Sequence, residues 1–485
     1  MELHEMTVCR LKEMIGAKEV SCTEVLDSFI ARVRAVDEQT EGYITNTFDM
    51  AKEKAEAQDK ALANGEDIGP LGGIPYALKD NICTKDILTT CSSQLLKNFV
   101  PPYNAYVYDR LEQAGALLLG KVDMDEFAMG STCENSTFGR VKNPYNTDCV
   151  PGGSSGGCAA TVSAGESAFA LGSDTGGSVR NPAAFCGITG FKPTYGTVSR
   201  YGLIAFASSL DQIGPLTKDV ADCAKIMNAI SGYDKRDSTS IDRPAFDYES
   251  FLTEGIKDMK IGVDRSALAK GVDADVLATY EETIKTFESL GATIVDVNFS
   301  LLEYAVPVYY LVACSEASSN LARFDGIRYG VREAGSDVEE IIVNSRSEGF
   351  GEEVKRRIML GTYALSAGYY DMYYNKALKV RRLIKEDVYR MFESCDAYLC
   401  PTTPMLAYKR GETVDDHMTL YLSDIFTVTA NLAGVPAMSV PAGFSKNGLP
   451  IGMQLYAKGL GEEQLFRAAY NFQLATDWHK RRPQL

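Results

Sequence analysis

Two glycine-rich runs and one lysine carry the residue types that could do covalent chemistry in this chain. Residues 152–157 read Gly-Gly-Ser-Ser-Gly-Gly, and residues 172–180 read Gly-Ser-Asp-Thr-Gly-Gly-Ser-Val-Arg. Both set serine hydroxyls among bare backbone amides, as acyl transfer requires: a nucleophile, and N–H donors for a developing oxyanion. A serine nucleophile also needs a base. The chain has 3 histidines, His4, His417 and His479, and none is near either run in sequence. Lys79 is the other candidate, because it closes the apolar run Ile74-Pro75-Tyr76-Ala77-Leu78. A buried lysine binds its proton less tightly and can serve as a general base near neutral pH. The plain alternative is an ion pair between Lys79 and its neighbour Asp80.

Other readings of the same residues compete. Gly152-Gly153-Ser154-Ser155-Gly156 formally fits the G-x-S-x-G elbow with Ser154 as nucleophile. That arrangement needs an acid and a later histidine. Only His417 and His479 follow, and neither lies in an apolar, glycine-bearing loop. Glycine-rich turns can also cradle phosphate at helix N-termini. No G-x-x-x-x-G-K-[ST] occurs, however, nor a G-x-G-x-x-G placed for a dinucleotide, and the net charge of −16 opposes an anion.

The elements that must position these residues follow from periodicity and punctuation. The first sixty residues read as helices, with Ser21-Cys22-Thr23-Glu24 as a capping box. Gly72 to Asp80 reads as a turn into a short apolar strand ending in a charged pair, and residues 115–122 read as another buried strand. Asn143 to Gly214 is dense in Gly, Ser, Thr and Pro, with one helix expected over Ala159 to Ala170. Its interleaved Phe169, Leu171, Phe185, Ile188, Phe191 and Tyr195 exclude a flexible linker. Residues 232–257 are polar and turn-rich, a surface excursion. Beyond them MKIGVD, ATIVDVNF, AYLCPT, PAMSVPAGF and PIGMQLYA read as strands, with helices over 273–289 and 461–476.

Composition narrows the class. Hydrophobic residues at 45% and charged residues at 24% are those of an ordinary globular protein. The 12 cysteines include no C-x-x-C pair, which argues against structural zinc and for reduced thiols in a cytoplasmic chain without a signal peptide. No apolar run is long enough for a membrane span. The acidic balance makes the chain alone a poor nucleic-acid binder, since its basic clusters, Lys355-Arg356-Arg357 and Lys480-Arg481-Arg482, are short.

Residues 151–203 run PGGSSGGCAATVSAGESAFALGSDTGGSVRNPAAFCGITGFKPTYGTVSRYGL, with GIPYALKDN upstream. Carrying GGSSGG, DTGGS-x-R-x-PA, CG and GFKPT-x-G-x-VS in order, this stretch closely resembles the amidase-signature family. The resemblance implies an α/β fold: a single large α/β/α domain with a mixed central sheet and a helical subregion around 300–395. Its parts would be N-terminal helices over about 1–65, a catalytic core over about 66–230, and a substrate-pocket and C-terminal part over about 258–485. It also implies a Ser–cis-Ser–Lys triad, in which Ser178 is the acylated nucleophile, Ser154 the relay and Lys79 the base. The amides of Thr175, Gly176 and Gly177 suit an oxyanion hole. Asp174 and Arg180 would orient the loop, or form a plain structural ion pair.

Segments 129–139, 208–220, 314–330, 351–374 and 476–483 extend the resemblance over essentially the whole chain, to glutamine-hydrolysing subunits of tRNA-dependent amidotransferases. By correspondence Arg357 would take the glutamine carboxylate and Asp424 its ammonium, with Tyr309 or Tyr310 touching the substrate. Such a chain needs no metal or cofactor of its own. ATP and Mg²⁺ would belong to a partner chain, and the amidotransferase's B and C subunits would complete a heterotrimer that grips tRNA mainly outside this chain. A stand-alone amidase acting on another small or aryl amide is the alternative. Cys158 after GGSSGG and Asn181 in the S-x-R-x-PA stretch depart from the common pattern and leave every triad and pocket group in place.

Overall fold

Short, continuously apolar runs dominate the strands, the pattern of a sheet covered on both faces. The computed structural model describes residues 2–268, 271–412 and 423–485. Its strands are β1 (Tyr43–Asn46), β2 (Pro75–Lys79), β3 (Leu117–Val122), β4 (Phe169–Asp174), β5 (Thr189–Lys192), β6 (Gln212–Thr217), β7 (Lys260–Val263), β8 (Thr293–Asp296), β9 (Ala397–Pro401), β10 (Ala437–Phe444) and β11 (Pro450–Ala457). They form one 11-stranded sheet in the order β1-β3-β2-β4-β6-β5-β10-β11-β9-β7-β8. The sheet is mixed: β2 runs parallel to β3 and β4, whereas β4 and β6, and β10 and β11, are antiparallel.

Around the sheet lie α1 (Val8–Gly16), α2 (Cys22–Thr40), α3 (Phe48–Ala63), α4 (Tyr106–Gln113), α5 (Gly156–Ser163), α6 (Arg180–Phe185), α7 (Val220–Ile230), α8 (Ala274–Ser289), α9 (Leu302–Asn320), α10 (Val338–Gly349), α11 (Glu352–Leu365), α12 (Tyr374–Met391), α13 (Val428–Ala433) and α14 (Glu462–Ala475). The fold is the expected α/β class, and α9 to α12 fill the helical subregion. Ser21 caps α2, its hydroxyl accepting from the Glu24 amide while Glu24 reaches back to the Ser21 amide.

Three expectations need correction. The N-terminal sixty residues are not all helical, because Tyr43–Asn46 pairs antiparallel with β3 as an edge strand. The helix expected over 159–170 stops at Ser163: Gly165 at φ +76 turns the chain, and Phe169 opens β4. Ala159, Ala160 and Ser163 do lie in the helix, whereas Ala170 belongs to a central strand. The 232–257 excursion is also not wholly on the surface, since Tyr248 is fully buried with its ring 5.4 Å from that of Phe466.

Consecutive central strands carry the chemistry to one place. β2 ends in Lys79 and the neighbouring β4 ends in Asp174, so the two loops that follow emerge side by side. In doubly covered sheets, sites form at such carboxyl ends of parallel strands. Among the described residues no helix is long and apolar enough to cross a membrane.

Candidate active site

Lys79 is completely buried at the end of β2. Its Nζ lies 2.8 Å from Ser154 Oγ, 2.8 Å from Ser155 Oγ and 3.1 Å from Ser173 Oγ. Its neighbour Asp80 turns elsewhere: that carboxylate faces Lys121 Nζ at 3.4 Å and accepts from the Thr90 amide at 2.8 Å. The ion pair that was the plain alternative for Lys79 therefore belongs to another lysine. Burial lowers the Lys79 pKa, a shift only partly offset by the negative groups around it, among them Asp125 and Asp174. An amine held by hydroxyls, with its proton affinity reduced by desolvation, is the environment a lysine base needs.

The Gly152–Gly157 run supplies the hydroxyl beside it. The Gly153–Ser154 peptide bond is cis, and Ser154 is fully buried. The Ser154 carbonyl accepts from the Asp125 amide at 3.2 Å and from the Cys133 thiol at 3.4 Å. The Ser155 hydroxyl donates to the Ser173 carbonyl at 3.2 Å, so toward Lys79 it can only accept. That commitment leaves the hydroxyls of Ser154 and Ser173 able to share a proton with the amine, and Ser154 is the nearer of the two at 2.8 Å.

The second serine sits on the loop after β4. Ser178 keeps 8% of its surface exposed, and its hydroxyl makes no hydrogen bond among the described residues. Its carbonyl accepts from the Ser155 amide at 3.1 Å, which ties the two glycine-rich runs together. Asp174 anchors the loop, accepting from the Gly177 amide at 2.9 Å and the Val179 amide at 3.2 Å. Gly177 holds φ +139, a backbone state that only glycine adopts readily, and a Cβ there would strike the Thr427 side chain. The Thr427 hydroxyl donates to the Gly176 carbonyl at 2.6 Å. Of the amides expected to hold an oxyanion, that of Gly177 is engaged by Asp174. Those of Thr175 and Gly176, and that of Ser178 itself, have no protein acceptor among the described residues.

Arg180 is buried outright and forms a fork with Asp174, Nε to Oδ2 at 3.0 Å and Nη2 to Oδ1 at 3.1 Å. Two further donors go to Gln454 Oε1 at 3.0 Å and Asn431 Oδ1 at 2.7 Å. Burial alone would raise the Asp174 carboxyl, but the Arg180 guanidinium outweighs it and holds the pKa down at about 2. The pair is both structural and adjacent to the chemistry. Asn431 and Gln454, with Ser155, Ser173 and Thr427, are site residues that motif and spacing do not single out. The two serines stand in plain view inside the glycine-rich runs. The other three lie on segments with no local signature.

The expected pocket residues converge on the same loop. Tyr309 packs its ring against Gly176, where a Cβ would meet Tyr309 Cζ at 2.5 Å, and its own ring is 5.0 Å from that of Tyr310. The Arg357 guanidinium lies over the rings of Tyr310, at 5.2 Å, and Phe206, at 5.6 Å, with its Nε on Glu353 at 2.6 Å. Asp424 is buried and accepts from the Ser131 hydroxyl at 3.2 Å. Burial pushes its pKa up to about 7, although Ser131 and the positive charge of Arg357 pull the other way. Thr427 also links Asp424 to the serine loop, since its hydroxyl lies 3.1 Å from the Asp424 carbonyl.

No described histidine takes part. His4 sits against Ser28, and His479 lies in the C-terminal turn Trp478–Lys480. His417 lies outside the described residues. Among those residues no cluster of His, Cys, Asp or Glu could hold a metal ion.

Comparison with known proteins agrees with this geometry. The Amidase family model matches residues 24–466. The A subunit of glutamyl-tRNA(Gln) amidotransferase from Moorella thermoacetica is 54% identical over 485 residues, covering 100% of this chain and 99% of the relative. The crystal structure of the corresponding A subunit from Thermotoga maritima superposes with a TM-score of 0.80 at 41% identity, covering 96% of this chain and 94% of that one. A bacterial aryl acylamidase of the amidase-signature enzymes shares the fold, with a TM-score of 0.86 at 24% identity over 100% of both chains. Family model, full-length relatives and buried lysine–serine arrangement lead to one conclusion: the chain belongs to the amidase-signature family of enzymes.

Proposed function

We propose that this chain is the glutaminase component of a tRNA-dependent amidotransferase, with Ser178, Ser154 and Lys79 as its catalytic triad. The observation that carries the chemistry is Lys79 Nζ, buried among hydroxyls and 2.8 Å from Ser154 Oγ. In this reading Ser178 Oγ attacks the side-chain amide carbon of glutamine. Its proton passes to Ser154, whose own proton passes to neutral Lys79. The amide oxygen becomes an oxyanion and rests on the unengaged amides of Thr175, Gly176 and Ser178, with the Gly177 amide holding the loop through Asp174. Collapse breaks the carbon–nitrogen bond. The proton returns through Ser154 to the leaving nitrogen, ammonia departs, and a γ-glutamyl ester stays on Ser178. Water, deprotonated by the same relay, hydrolyses that ester and releases glutamate.

Arg357 supplies a guanidinium for the α-carboxylate and Asp424 a carboxylate for the α-ammonium, while Tyr309 and Tyr310 wall the pocket. The ammonia would serve the B subunit, which completes a heterotrimer together with the C subunit, binds ATP and Mg²⁺, and amidates Glu-tRNA(Gln) or Asp-tRNA(Asn). Full-length relatives that bear the A-subunit name support this assignment, and the net charge of −16 suits a chain that leaves tRNA to its partners. A cytoplasmic location follows from that role in translation. The test is glutamine hydrolysis by the purified chain, alone and with the B and C subunits. Release of glutamate and ammonia that rises on assembly supports the reading. Turnover of aryl amides without any glutamine activity overturns it in favour of a stand-alone amidase.

A further inference from the structure

Away from the triad, a cleft of about 710 Å³ opens between the loop after Leu96, the segment at Ile204 and the end of α9. Its walls are aromatic: Phe99 and Tyr329 lie 5.5 Å apart by ring centroid, Phe324 is 5.7 Å from Tyr329, and Tyr103 closes one side. Its charged lining consists of two guanidiniums, Arg323 and Arg328, with no carboxylate. Neither forms an ion pair among the described residues, although the chain holds 65 Asp and Glu. Arg323 reaches only the Asn320 carbonyl, at 2.8 Å, and the Asn320 side chain. Asp325 also acts on Tyr329, but it is not part of the lining, and in so acidic a protein a lining that carries two cations and no carboxylate suits an anion.

The rim shows what kind. Val100 and Tyr103, both lining the cleft, stand 49% and 43% exposed at its opening. A small ligand inside the cleft would leave these apolar surfaces in water, whereas a polypeptide would cover them. Nucleic acid fits poorly, because two cations with an aliphatic lip lack the basic track that a phosphate backbone needs. Four of the residues that shape the cleft, Arg323, Phe324, Arg328 and Tyr329, come from the 314–330 segment, which the hydrolytic chemistry leaves unused.

We propose that this cleft docks an acidic segment of a partner protein in the assembled enzyme, with carboxylates on Arg323 and Arg328 and an apolar side chain between the rings. The inference rests on the amidotransferase reading for the partner's identity. The experiment compares the wild-type chain, R323E/R328E and, as a surface control, K376E/K379E for assembly with the B and C subunits, measured by biolayer interferometry at two salt concentrations. R323E/R328E should assemble at least tenfold more weakly and lose most of the salt dependence, with an unchanged melting temperature, while the control assembles normally. Unchanged affinity of R323E/R328E sinks the proposal and leaves the glutaminase reading intact. A wild-type chain that never assembles with the B and C subunits overturns both. Hydrogen exchange on the wild-type complex keeps the test decisive if the double variant misfolds: residues 98–103 and 323–330 should gain protection on assembly. Free exchange there counts against the proposal, as does protection by tRNA alone or by self-association of the chain.

Discussion

Lys79 sets its Nζ 2.8 Å from the Ser154 hydroxyl, while Asp80, the next residue, faces Lys121. The two neighbours thus serve different ends of the site. Lys79 faces the hydroxyls of Ser154, Ser155 and Ser173, and Asp80 with Lys121 braces the loop that follows β2. Lys79 forms no ion pair among the described residues, and burial is the largest influence on its charge state, ahead of the opposing effect of Asp125 and Asp174.

The sign of the pH dependence follows. A lysine whose pKa is lowered by burial is protonated below that pKa and cannot accept the relay proton. The rate, kcat/KM for glutamine, should therefore fall as pH drops through the Lys79 pKa and level off above it. Lys79→Arg should remain folded yet inactive at every pH, because a guanidinium does not deprotonate. Full pH–rate profiles of both proteins check this, and an active Lys79→Arg would remove Lys79 as the base.

The two serines should separate by trapping. Ser178→Ala should lose activity on the order of 10⁴-fold or more and form no covalent adduct. Ser154→Ala should lose comparable activity while Ser178 remains present to be acylated. Intact-protein mass spectrometry after mixing with a slow-leaving γ-glutamyl substrate distinguishes them: a glutamyl mass increment on Ser154→Ala and none on Ser178→Ala.

Asp174→Asn leaves the buried Arg180 guanidinium without its counter-charge. Breaking one side of a buried ion pair costs about 3–5 kcal/mol, so a large fall in the denaturation midpoint should accompany loss of activity. The wild-type pair should persist into acid. Its carboxyl is held at about 2, below the ordinary value of 3.8, so its contribution is complete above the ordinary value and is lost as pH falls toward 2. Urea titrations at several pH values measure both effects.

Asp424 titrates in the opposite sense. With burial raising its carboxyl to about 7, the free site is protonated below that pH and offers no charge to an ammonium. KM for glutamine should rise as pH falls through about 7, more steeply than kcat changes. Asp424→Asn should abolish that pH dependence and raise KM by at least tenfold. A KM profile identical to wild type would exclude Asp424 from ammonium binding.

The triad candidates are legible in the sequence as residue types, serines among glycines and a lysine ending an apolar strand, but their roles come from the resemblance of GGSSGG, DTGGS and GIPYALKDN to the amidase-signature pattern. The strands of the second half are legible too, as runs such as PIGMQLYA and AYLCPT pair directly as β11 and β9. What stays hidden is long-range. Arg180 bonds Asn431 across 251 positions and Gln454 across 274, and nothing around those two amides marks them as acceptors for a buried cation. The short strand β1 escapes notice because four residues between two long helices show too little alternation to announce an edge. The helix over 159–170 is overextended because small apolar residues suit both a tightly packed helix and a central strand, and only the glycine at 165 separates them.

The insertion of β10 and β11 beside β5 has a consequence for the order in which the protein is made. A ribosome that has added residue 200 has already produced Lys79, Ser154, Ser178 and Arg180, yet Asn431 and Gln454 are still to come. Until they emerge, the guanidinium behind the serine loop lacks two of its acceptors and β5 has an open edge where β10 will pair. Ser178, the proposed nucleophile, is therefore encoded early and set in place late, so an unfinished chain carries all three residues of the proposed triad without the frame that holds them together.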